Sequence, residues 1–599
     1  MAGVDQLIIN SAYREPTHHW KYDLNGQTFV REEGRRPAGY FIAGQGSNQY
    51  NDIGQFIELP LVNRIRPRVK AWREAGYPGV TGVTRKLLDH WNDKDARQYP
   101  FFYCQMDAIE TLIWLTEAPD AEKVGIDIPS DGGAFRRLCT KLCTGGGKTT
   151  VMAMLIAWMI CNKVTYPQDK RFTKYLFIVA PGLTVKSRLQ VLQTGGGDDN
   201  YYVQFNIVPI GLMDKLHQGK VMITNWQALA WDSEETIAKR RSVDKRGAKS
   251  DEAYTREVLG EMANASNILV INDEAHHAWR KNPENKAKLT KEQKEAEQQA
   301  TIWISGLDRI HKTRGILSCY DFSATPFAPS GKKNDEEALF GWIVSDFGLN
   351  DGIESGLVKT PRVVVRDDGT PDAESFRSKL YHIYADETVK DDINRAADPE
   401  EPLPDLLTQA YYLLGKDWQA LYYAWKDAGA DVPPVMITVA NRTETAARIK
   451  YAFDHGRIPV PELCDPNLTI HIDSKTMDAA TNVVAPTADE DSEAKISKAD
   501  AVAILRETVD TVGQKGKRGE QIRNVISVGM LSEGWDAKTV THILGLRAFS
   551  SQLLCEQVVG RGLRRTSYDL AEGSDMFTPE YVNIFGIPFT FLPHESDEQ

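Results

Sequence analysis

A glycine-rich loop is the feature that most restricts what this chain can fold into. The run Cys143–Thr149 reads Cys-Thr-Gly-Gly-Gly-Lys-Thr and is followed at once by the apolar run Val151–Ile160. Glycines let backbone N–H groups wrap phosphates, and a helix that starts there adds the positive end of its dipole. The pattern predicts a nucleoside triphosphate site in which Lys148 reaches the β- and γ-phosphates and Thr149 ligates Mg²⁺. The loop alone does not say what the triphosphate drives.

The composition indicates an intracellular protein whose overall charge does not attract nucleic acid. The chain has 599 residues and a net charge of −12, so any nucleic-acid contact needs a local groove. The start is not a basic, apolar leader, and the longest apolar run is far shorter than the ~20 residues of a membrane span. Seven cysteines without CxxC spacing are typical of a reducing compartment and do not favour zinc. We therefore expect a cytoplasmic protein that does not contact a membrane.

Short apolar runs alternate with longer helical patterns in two stretches of the chain, which predicts two α/β lobes with parallel sheets. The expected strands of the first stretch are 175–180, 221–224, 268–272 and 320–323. Those of the second stretch are 435–439, 468–472, 525–528 and 543–546. Ligands of open α/β sheets lie beyond the carboxyl ends of the strands, so the chemistry should appear there.

One of these strands delivers two carboxylates at its end. The apolar run 268–272 is followed directly by Asp273 and Glu274. Asp273 can hold Mg²⁺ directly or through water, and Glu274 can orient and activate the attacking water. Adjacent acidic residues are common on surfaces, but this pair ends an apolar strand downstream of a phosphate loop. We therefore predict that both carboxylates belong to the triphosphate site.

The run Asp273-Glu274-Ala275-His276 resembles the DEAH box of superfamily 2 helicases and translocases, and further motifs of that superfamily appear in the expected order. Along the chain, the matching segments are Gln105, the Walker A loop Thr144–Thr150, Ala180–Leu183, Thr224–Trp226, Ser323–Thr325, Met530–Asp536 and Gln557–Arg564. The resemblance implies two RecA-like lobes that enclose ATP and Mg²⁺ in a cleft while a nucleic acid lies across both lobes.

The resemblance also implies a role for each matching residue. Residues that would bind ATP are Gln105, which reads adenine, and Thr144, Gly145, Gly146, Gly147, Lys148, Thr149, Thr150, Gly534 and Asp536. Catalysis would depend on Lys148, Asp273, Glu274, Gln557, Arg561 and Arg564, with Thr149 and Asp273 on the metal. Residues that would couple hydrolysis to lobe movement are His276, Ser323, Ala324 and Thr325. Residues that would grip the nucleic-acid backbone are Pro181, Gly182, Thr224 and Asn225.

Arg561 and Arg564 resemble the arginine fingers that the second lobe supplies. A guanidinium from a second lobe stabilises the transferring phosphoryl group only when the lobes close. The two residues are three apart, so we expect them on one helical face, pointing into the cleft. Loss of the γ-phosphate would let the cleft reopen, which converts hydrolysis into movement along a strand.

Within the superfamily, the motifs look most like the Res subunit of type III restriction enzymes and related restriction proteins. The runs Asp321–Phe327, Phe347–Pro361, Ser532–Asp536 and Gly560–Arg565 carry this resemblance. It implies an ATP-dependent motor on duplex DNA that serves restriction or antiviral defence. Two alternatives stay open: an RNA helicase of the DEAH type, because such motors grip phosphates more than bases, and an ATP-gated nucleic-acid clamp that does not translocate.

The nuclease domain of that family is not apparent in these residues. Glu292-Gln293-Lys294 and Glu493-Ala494-Lys495 match the ExK part of a nuclease cluster, but both lie in charge-rich segments rather than at the end of an apolar strand. The chain stops soon after the arginine motif. We therefore expect a motor whose nuclease lies in a longer chain or in a partner, with a methyltransferase or nuclease subunit as the candidate partner.

These patterns divide the chain into four parts. We expect an irregular N-terminal accessory segment (1–85), a first RecA-like ATP-binding lobe (86–360), a linker with a helical insertion (361–430) and a second RecA-like lobe (431–599). In the first part, Arg35 and Arg36 fit either phosphate contacts or ordinary solvated side chains.

Overall fold

The structure is a computed structural model. It describes residues 6–23, 28–42, 55–195, 197, 200–231, 250–281, 291–329, 337–363, 383–472, 498–528, 535–546, 552–586 and 595–596. Within these ranges, no helix combines the length and apolarity needed to cross a membrane.

The N-terminal segment is more regular than its turn-rich composition predicts. Two antiparallel hairpins precede three helices, with the bounds β1 His18–Asp23, β2 Thr28–Glu33, β3 Gly39–Ile42, β4 Gln55–Glu58, α1 Pro60–Glu74, α2 Gly82–Asn92 and α3 Tyr103–Glu117. Apolar residues of α1 and α2, such as Ile65, Trp72 and Leu87, are buried in one core with α3. Packing of these apolar faces stabilises the helices more than local propensity does.

Six parallel strands form the sheet of the first lobe in the order β12-β5-β9-β8-β6-β7. Their bounds are β5 Arg137–Leu142, β6 Tyr175–Ala180, β7 Lys220–Asn225, β8 Ile268–Asp273, β9 Ile316–Ser323 and β12 Ile343–Phe347. A short ribbon pairs β10 Phe327–Pro329 with β11 Glu337–Leu339. The four strands predicted for this lobe are confirmed.

Helices cover both faces of this sheet. They are α4 Lys148–Thr165, α5 Leu183–Arg188, α6 Tyr201–Gln204, α7 Ile210–Leu216, α8 Asp251–Leu259, α9 Lys291–Arg314 and α10 Leu349–Glu354. Successive side chains of a strand point to opposite faces. Accordingly, Ile178 of β6 packs in the core around α4, whereas Phe177 and Val179 pack in the core around α8 and α9. Burial on both faces explains why these strands are apolar throughout.

Seven parallel strands form the second sheet in the order β15-β16-β14-β17-β18-β13-β19. Their bounds are β13 Thr360–Val363, β14 Val435–Ala440, β15 Thr469–Ile472, β16 Asn524–Val528, β17 Val540–Leu546, β18 Tyr581–Phe585 and β19 Glu595–Ser596. The described helices are α11 Glu387–Ile393, α12 Asp405–Asp427, α13 Thr443–Asp454, α14 Lys498–Asp510 and α15 Gln552–Val559. The predicted fold class, with two RecA-like α/β lobes, is confirmed.

The stretch expected to be a linker with a helical insertion contributes to the second lobe. Strand β13 joins the second sheet beside β18. Tyr411 and Trp418 of α12 are buried in one core with Met436 of β14. The chain therefore passes from the first sheet to the second between α10 and β13, and the bounds given above for the four parts stay a prediction.

Candidate nucleotide and nucleic-acid site

The glycine loop connects β5 to α4 and depends on glycine at two positions. Gly145 and Gly147 both have a φ of 86°, a left-handed conformation that glycine adopts at little cost. A Cβ at Gly147 would also lie 2.1 Å from Nε2 of Gln105, so a side chain there would displace Gln105. Lys148 is the first residue of α4, which places it at the positive end of the helix dipole. The backbone is therefore shaped as a cradle for an anion.

The Gln105 side chain forms a hydrogen bond with this loop. The side chain is 5% exposed, and its Nε2 donates to the Gly146 carbonyl over 3.3 Å. Its Oε1 accepts from the backbone N–H of Phe102 over 3.0 Å, which caps α3. One residue thus links the start of α3 to the phosphate loop. The prediction that Gln105 also reads adenine stays a prediction.

The two carboxylates lie at the same edge of the sheet as the loop. Strand β9 lies between β5 and β8, and its Ser323 pairs with Lys141 while Asp273 pairs with Phe322. The phosphate loop, Ser323 and Asp273 therefore follow three adjacent strand ends. Parallel strands impose this arrangement because their carboxyl ends meet at one edge.

Lys148 and Glu274 are brought into direct contact. Nζ of Lys148 lies 3.1 Å from Oε1 of Glu274, and both side chains are largely buried. Glu274 has a φ of 47°, an unusual backbone conformation for a residue with a side chain. Asp273, 7% exposed, accepts the Glu274 backbone N–H over 3.0 Å. Strained backbone of this kind concentrates at functional sites, where the surrounding structure holds it.

A chain of polar contacts runs from Glu274 towards the second lobe. Nδ1 of His276 lies 3.6 Å from Oε2 of Glu274 and 3.0 Å from Oγ of Ser323. Ser323 Oγ in turn accepts the backbone N–H of Thr325 over 3.0 Å. Ala324, between these two residues, is buried. The residues predicted to couple hydrolysis to movement are thus assembled, although their role stays a prediction.

Gln557 of the second lobe completes this chain. Its Nε2 donates to Thr325 Oγ1 over 3.1 Å, a hydrogen bond between the lobes. Close by, a Cβ at Gly560 would lie 3.4 Å from Oγ1 of Thr144, so the end of α15 faces the phosphate loop. The cleft between the lobes therefore has the phosphate loop on one side and the arginine motif on the other.

The prediction that Arg561 and Arg564 share a helical face is wrong. Helix α15 ends at Val559; Arg561 lies in the turn that follows, and Arg564 lies in the irregular stretch after that turn. Gly560 and Gly562 explain the early end, because glycine disfavours a helix interior. Arg564 lies 2.6 Å from Asp536, whose carboxylate is also 3.9 Å from Arg188 of α5. Arg561 is partly exposed, and Gly534 lies outside the described residues.

The predicted nucleic-acid residues lie at two adjacent strand ends. Strands β6 and β7 are in register, with Ala180 beside Asn225, so Gly182 and Thr224 follow the same edge. Gly182 precedes α5 and has open space where a side chain would be. Thr224 is buried, and Asn225 donates to Gln227 over 2.6 Å. Pro181, which directly precedes Gly182, is buried.

The comparisons with known proteins agree with these motifs. Residues 98–305 match the family described as type III restriction enzyme, res subunit. These residues resemble a Res subunit. The predicted resemblance to superfamily 2 helicases of the Res type is thus confirmed for this part of the chain. No curated protein matches the chain.

Several solved structures are similar to this chain at low sequence identity. The ATP-dependent type ISP restriction-modification enzyme LlaBIII bound to DNA is 14% identical with a TM-score of 0.36, over 81% of this chain and 27% of that one. A fragment of a putative HsdR subunit of a type I restriction enzyme from Vibrio vulnificus YJ016 is 14% identical with a TM-score of 0.36, over 96% and 87%. S. cerevisiae Dbp5 bound to RNA and ADP BeF3 is 10% identical with a TM-score of 0.33, over 86% and 88%. The chain thus spans about a quarter of the length of LlaBIII.

Sequence reasoning missed the charged residues beneath the helicase-like cleft. Lys141 in β5 and Asp346 in β12 are buried and 2.6 Å apart. Burial alone would lower the pKa of Lys141, but the Asp346 carboxylate raises it above its ordinary value. Asp321 in β9 is fully buried and accepts from Arg137 and Trp342 over 2.9 and 2.7 Å. Charged residues inside apolar strands are the signal that could have identified these pairs.

Proposed function

We propose that this protein hydrolyses ATP with Mg²⁺ and uses the energy to move along duplex DNA in a restriction or antiviral defence system of the cytoplasm. The observation that carries the proposal is the Lys148–Glu274 contact in the loop, 3.1 Å long, with the Gly560 turn of the second lobe facing the same loop. Phosphoryl transfer requires groups that position the phosphates and stabilise their charge. The glycine loop with its cation and carboxylate, and the arginine-bearing turn opposite, are groups of this kind.

The residues of the cleft fit ATP and Mg²⁺. The left-handed glycines at Gly145 and Gly147 turn the loop as a phosphate cradle requires. Thr149, in the first turn of α4, and Asp273, at the end of β8, are the oxygen donors that would hold Mg²⁺. Mg²⁺ held there would neutralise charge on the phosphates, and Glu274 would orient the attacking water. The Lys148 ammonium would exchange Glu274 for a γ-phosphate oxygen when ATP binds.

Coupling to movement would run through the contacts between the lobes. Glu274, next to the water, contacts His276, which contacts Ser323. Thr325, two residues on, accepts the Gln557 hydrogen bond from the second lobe. A change at the γ-phosphate can therefore reach the lobe interface through side chains in contact, which is the type of link that allosteric coupling needs.

The match of residues 98–305 to Res subunits favours DNA as the track. Pro181, Gly182, Thr224 and Asn225 would contact the strand, and a nuclease or methyltransferase subunit would complete the defence system. Contacts of this kind are made to phosphates and carry no base information. The choice between DNA and RNA therefore needs a direct test.

ATP hydrolysis should be measured without nucleic acid and with duplex DNA, single-stranded DNA or RNA of equal length. We expect stimulation by duplex DNA and displacement of a triplex-forming oligonucleotide from it. Lys148→Ala should abolish turnover in every case, because no other described residue replaces the ammonium at the loop. Turnover that survives Lys148→Ala would refute the site.

The same assay separates the alternatives. Stimulation by RNA alone contradicts the DNA proposal and favours an RNA helicase. Stimulation by duplex DNA without displacement of either a paired strand or a third strand favours an ATP-gated clamp. Lys170→Ala serves as a matched control, since it removes an exposed ammonium from the connection between α4 and β6 without touching the phosphate loop.

A further inference from the structure

The segment that connects the two sheets contacts both sides of the cleft. Between α10 and β13, the Leu357 carbonyl would lie 3.4 Å from a Cβ at Gly145 of the phosphate loop. Lys359 donates its backbone N–H to the Leu563 carbonyl over 2.7 Å. Arg565 donates to the Gly356 carbonyl over 2.8 Å. This connection therefore touches both the phosphate loop and the arginine turn.

Glu354, the last residue of α10, fixes the start of the connection and is held by the N-terminal segment. Its backbone carbonyl accepts the N–H groups of Ile9 and Asn10 over 2.9 and 3.0 Å. Its Oε1 accepts the Trp20 backbone N–H over 3.0 Å and also contacts the Arg36 guanidinium. The carboxylate is 1% exposed, so Arg36 is the cation that compensates its burial.

The same N-terminal segment also contacts the second lobe. Ser11 Oγ donates to the Asp575 carbonyl over 3.0 Å, and Arg14 lies 3.2 Å from the Asp575 carboxylate. The Tyr13 and Phe577 rings are 5.7 Å apart. Leu7 is buried in a core of the second lobe. Residues 6–23 and 28–42, which we call the strap, therefore contact both lobes and the connection between them.

We propose that the strap sets the position of the arginine turn over the phosphate loop and that Arg36 is a positioning residue for ATP hydrolysis. The proposal rests on the proposed function. Arg36 acts through Glu354 and the connection, and it does not contact the loop itself. Loss of its guanidinium leaves a buried carboxylate without its cation, which loosens the start of the connection and hence the turn bonded to it. A displacement of about 1 Å is enough to cost ~100-fold in rate.

The test compares Arg36→Ala with Lys21→Ala, which removes an exposed ion pair from the same strap. We expect kcat to fall at least about tenfold in Arg36→Ala while the KM for ATP changes less than about threefold, since the phosphate contacts are in the first lobe. A fluorescent ATP analogue should still bind one per chain, which excludes a loss of folded protein. Arg36→Lys should restore part of kcat, and Lys21→Ala should match the wild type.

Hydrogen–deuterium exchange measures the loosening of the connection and of the arginine turn directly, and so tests the strap proposal without relying on ATP turnover. Exchange in residues 355–363 and 555–565 should rise in Arg36→Ala and not in Lys21→Ala. If the wild type hydrolyses no ATP, the proposed function fails while exchange still tests the strap. Unchanged exchange, or a kcat within about twofold of wild type, overturns the strap proposal. Should Arg36→Ala not fold, Arg36→Gln, which keeps a long polar side chain but removes the charge, replaces it with the same expected results.

Discussion

The two halves of the cleft are held in different ways. In the first lobe, Lys148 and Glu274 contact each other, and His276 contacts Ser323 of the neighbouring strand. In the second lobe, Gln557 instead contacts Thr325 of the first lobe, and the arginines follow α15 in a turn. The first half is thus assembled within one lobe, whereas the second half depends on how the lobes lie against each other.

Because of this difference, the side chains of the first half are preorganised, whereas those of the second half depend on closure of the lobes. Side chains at the ends of parallel strands are fixed by the sheet, so binding costs little reorganisation. Side chains on a turn at a lobe interface move with the lobe and can complete a site only when it closes. Substitutions in the first half should therefore affect chemistry or folding directly. Those in the second half should affect the coupling between the lobes.

The largest effect is expected from Glu274→Gln. The amide keeps the shape of the side chain but cannot take a proton from water, and loss of a general base costs about 100-fold to 10,000-fold in rate. ATP hydrolysis at saturating ATP and duplex DNA measures this loss. Binding of a fluorescent ATP analogue should persist, because the Lys148 ammonium is released from its partner.

Glu261→Gln is the matched control, since it makes the same change on an exposed site of the first lobe. Its turnover should equal that of the wild type. A Glu274→Gln enzyme with more than about a tenth of wild-type turnover would contradict the assignment of the base.

Asp321→Ala should produce the largest loss of stability in the first lobe. The carboxylate is fully buried and bonded to Arg137, Asn272 and Trp342. Removing one partner of a buried pair leaves an uncompensated charge and costs about 3–5 kcal/mol. The unfolding midpoint in urea should fall accordingly, whereas Asp431→Ala, in an exposed pair of the second lobe, should leave it unchanged. Equal midpoints for the two variants would show that the Asp321 network does not hold the sheet.

The sequence predicted the first half of the cleft well because its signals are local. Apolar runs ending in Asp273 or Ser323 place those residues at one edge of a parallel sheet, whatever the details of the loops. The strap could not be found in this way, since Arg36 and Glu354 are 318 residues apart. Arg36 was expected to contact phosphate or solvent, and its actual partner is a carboxylate on another element. Long-range pairs between charged residues leave no periodic pattern in a sequence.

The prediction that Arg561 and Arg564 share a helical face was wrong because a contact distant in sequence decides the backbone path there. A spacing of three predicts a shared face only if the helix continues. Gly560 and Gly562 break it, and the interface with the phosphate loop then decides the backbone path. A Cβ at Gly560 would lie 2.4 Å from the carbonyl oxygen of Glu556, so this backbone path has no room for a side chain.

The burial of Glu354 should make the stability of the protein depend on pH. Burial raises its pKa from an ordinary value of 4.5 to about 7; Arg36 lowers the pKa and Asp351 raises it further. The folded protein then binds a proton that the unfolded chain releases between pH 4.5 and 7. This contribution to stability is therefore complete below pH 4.5 and is lost as the pH rises through 7, with a total of about 3 kcal/mol.

Urea unfolding of the wild type and Glu354→Gln at pH values from 5 to 8 measures this contribution. The free energy of unfolding of the wild type should fall relative to that of the variant as the pH rises, because glutamine does not titrate. A constant difference between the two proteins across this range would show that the carboxylate is already ionised at low pH.

The smallest effect, and the sharpest test of the difference between the halves, concerns Gln557 and Thr325. Gln557→Ala and Thr325→Val each remove the hydrogen bond between the lobes, which joins Nε2 to Oγ1 over 3.1 Å. A single neutral hydrogen bond contributes about 1 kcal/mol, so each variant should lose about fivefold in DNA-stimulated kcat.

The double variant should lose no more than either single one, because both changes delete one contact. Basal hydrolysis without DNA should change less, since the first lobe holds the phosphates by itself. Losses that multiply in the double variant would instead mean that Gln557 acts on the nucleotide directly and that the second half of the cleft is not gated through Thr325.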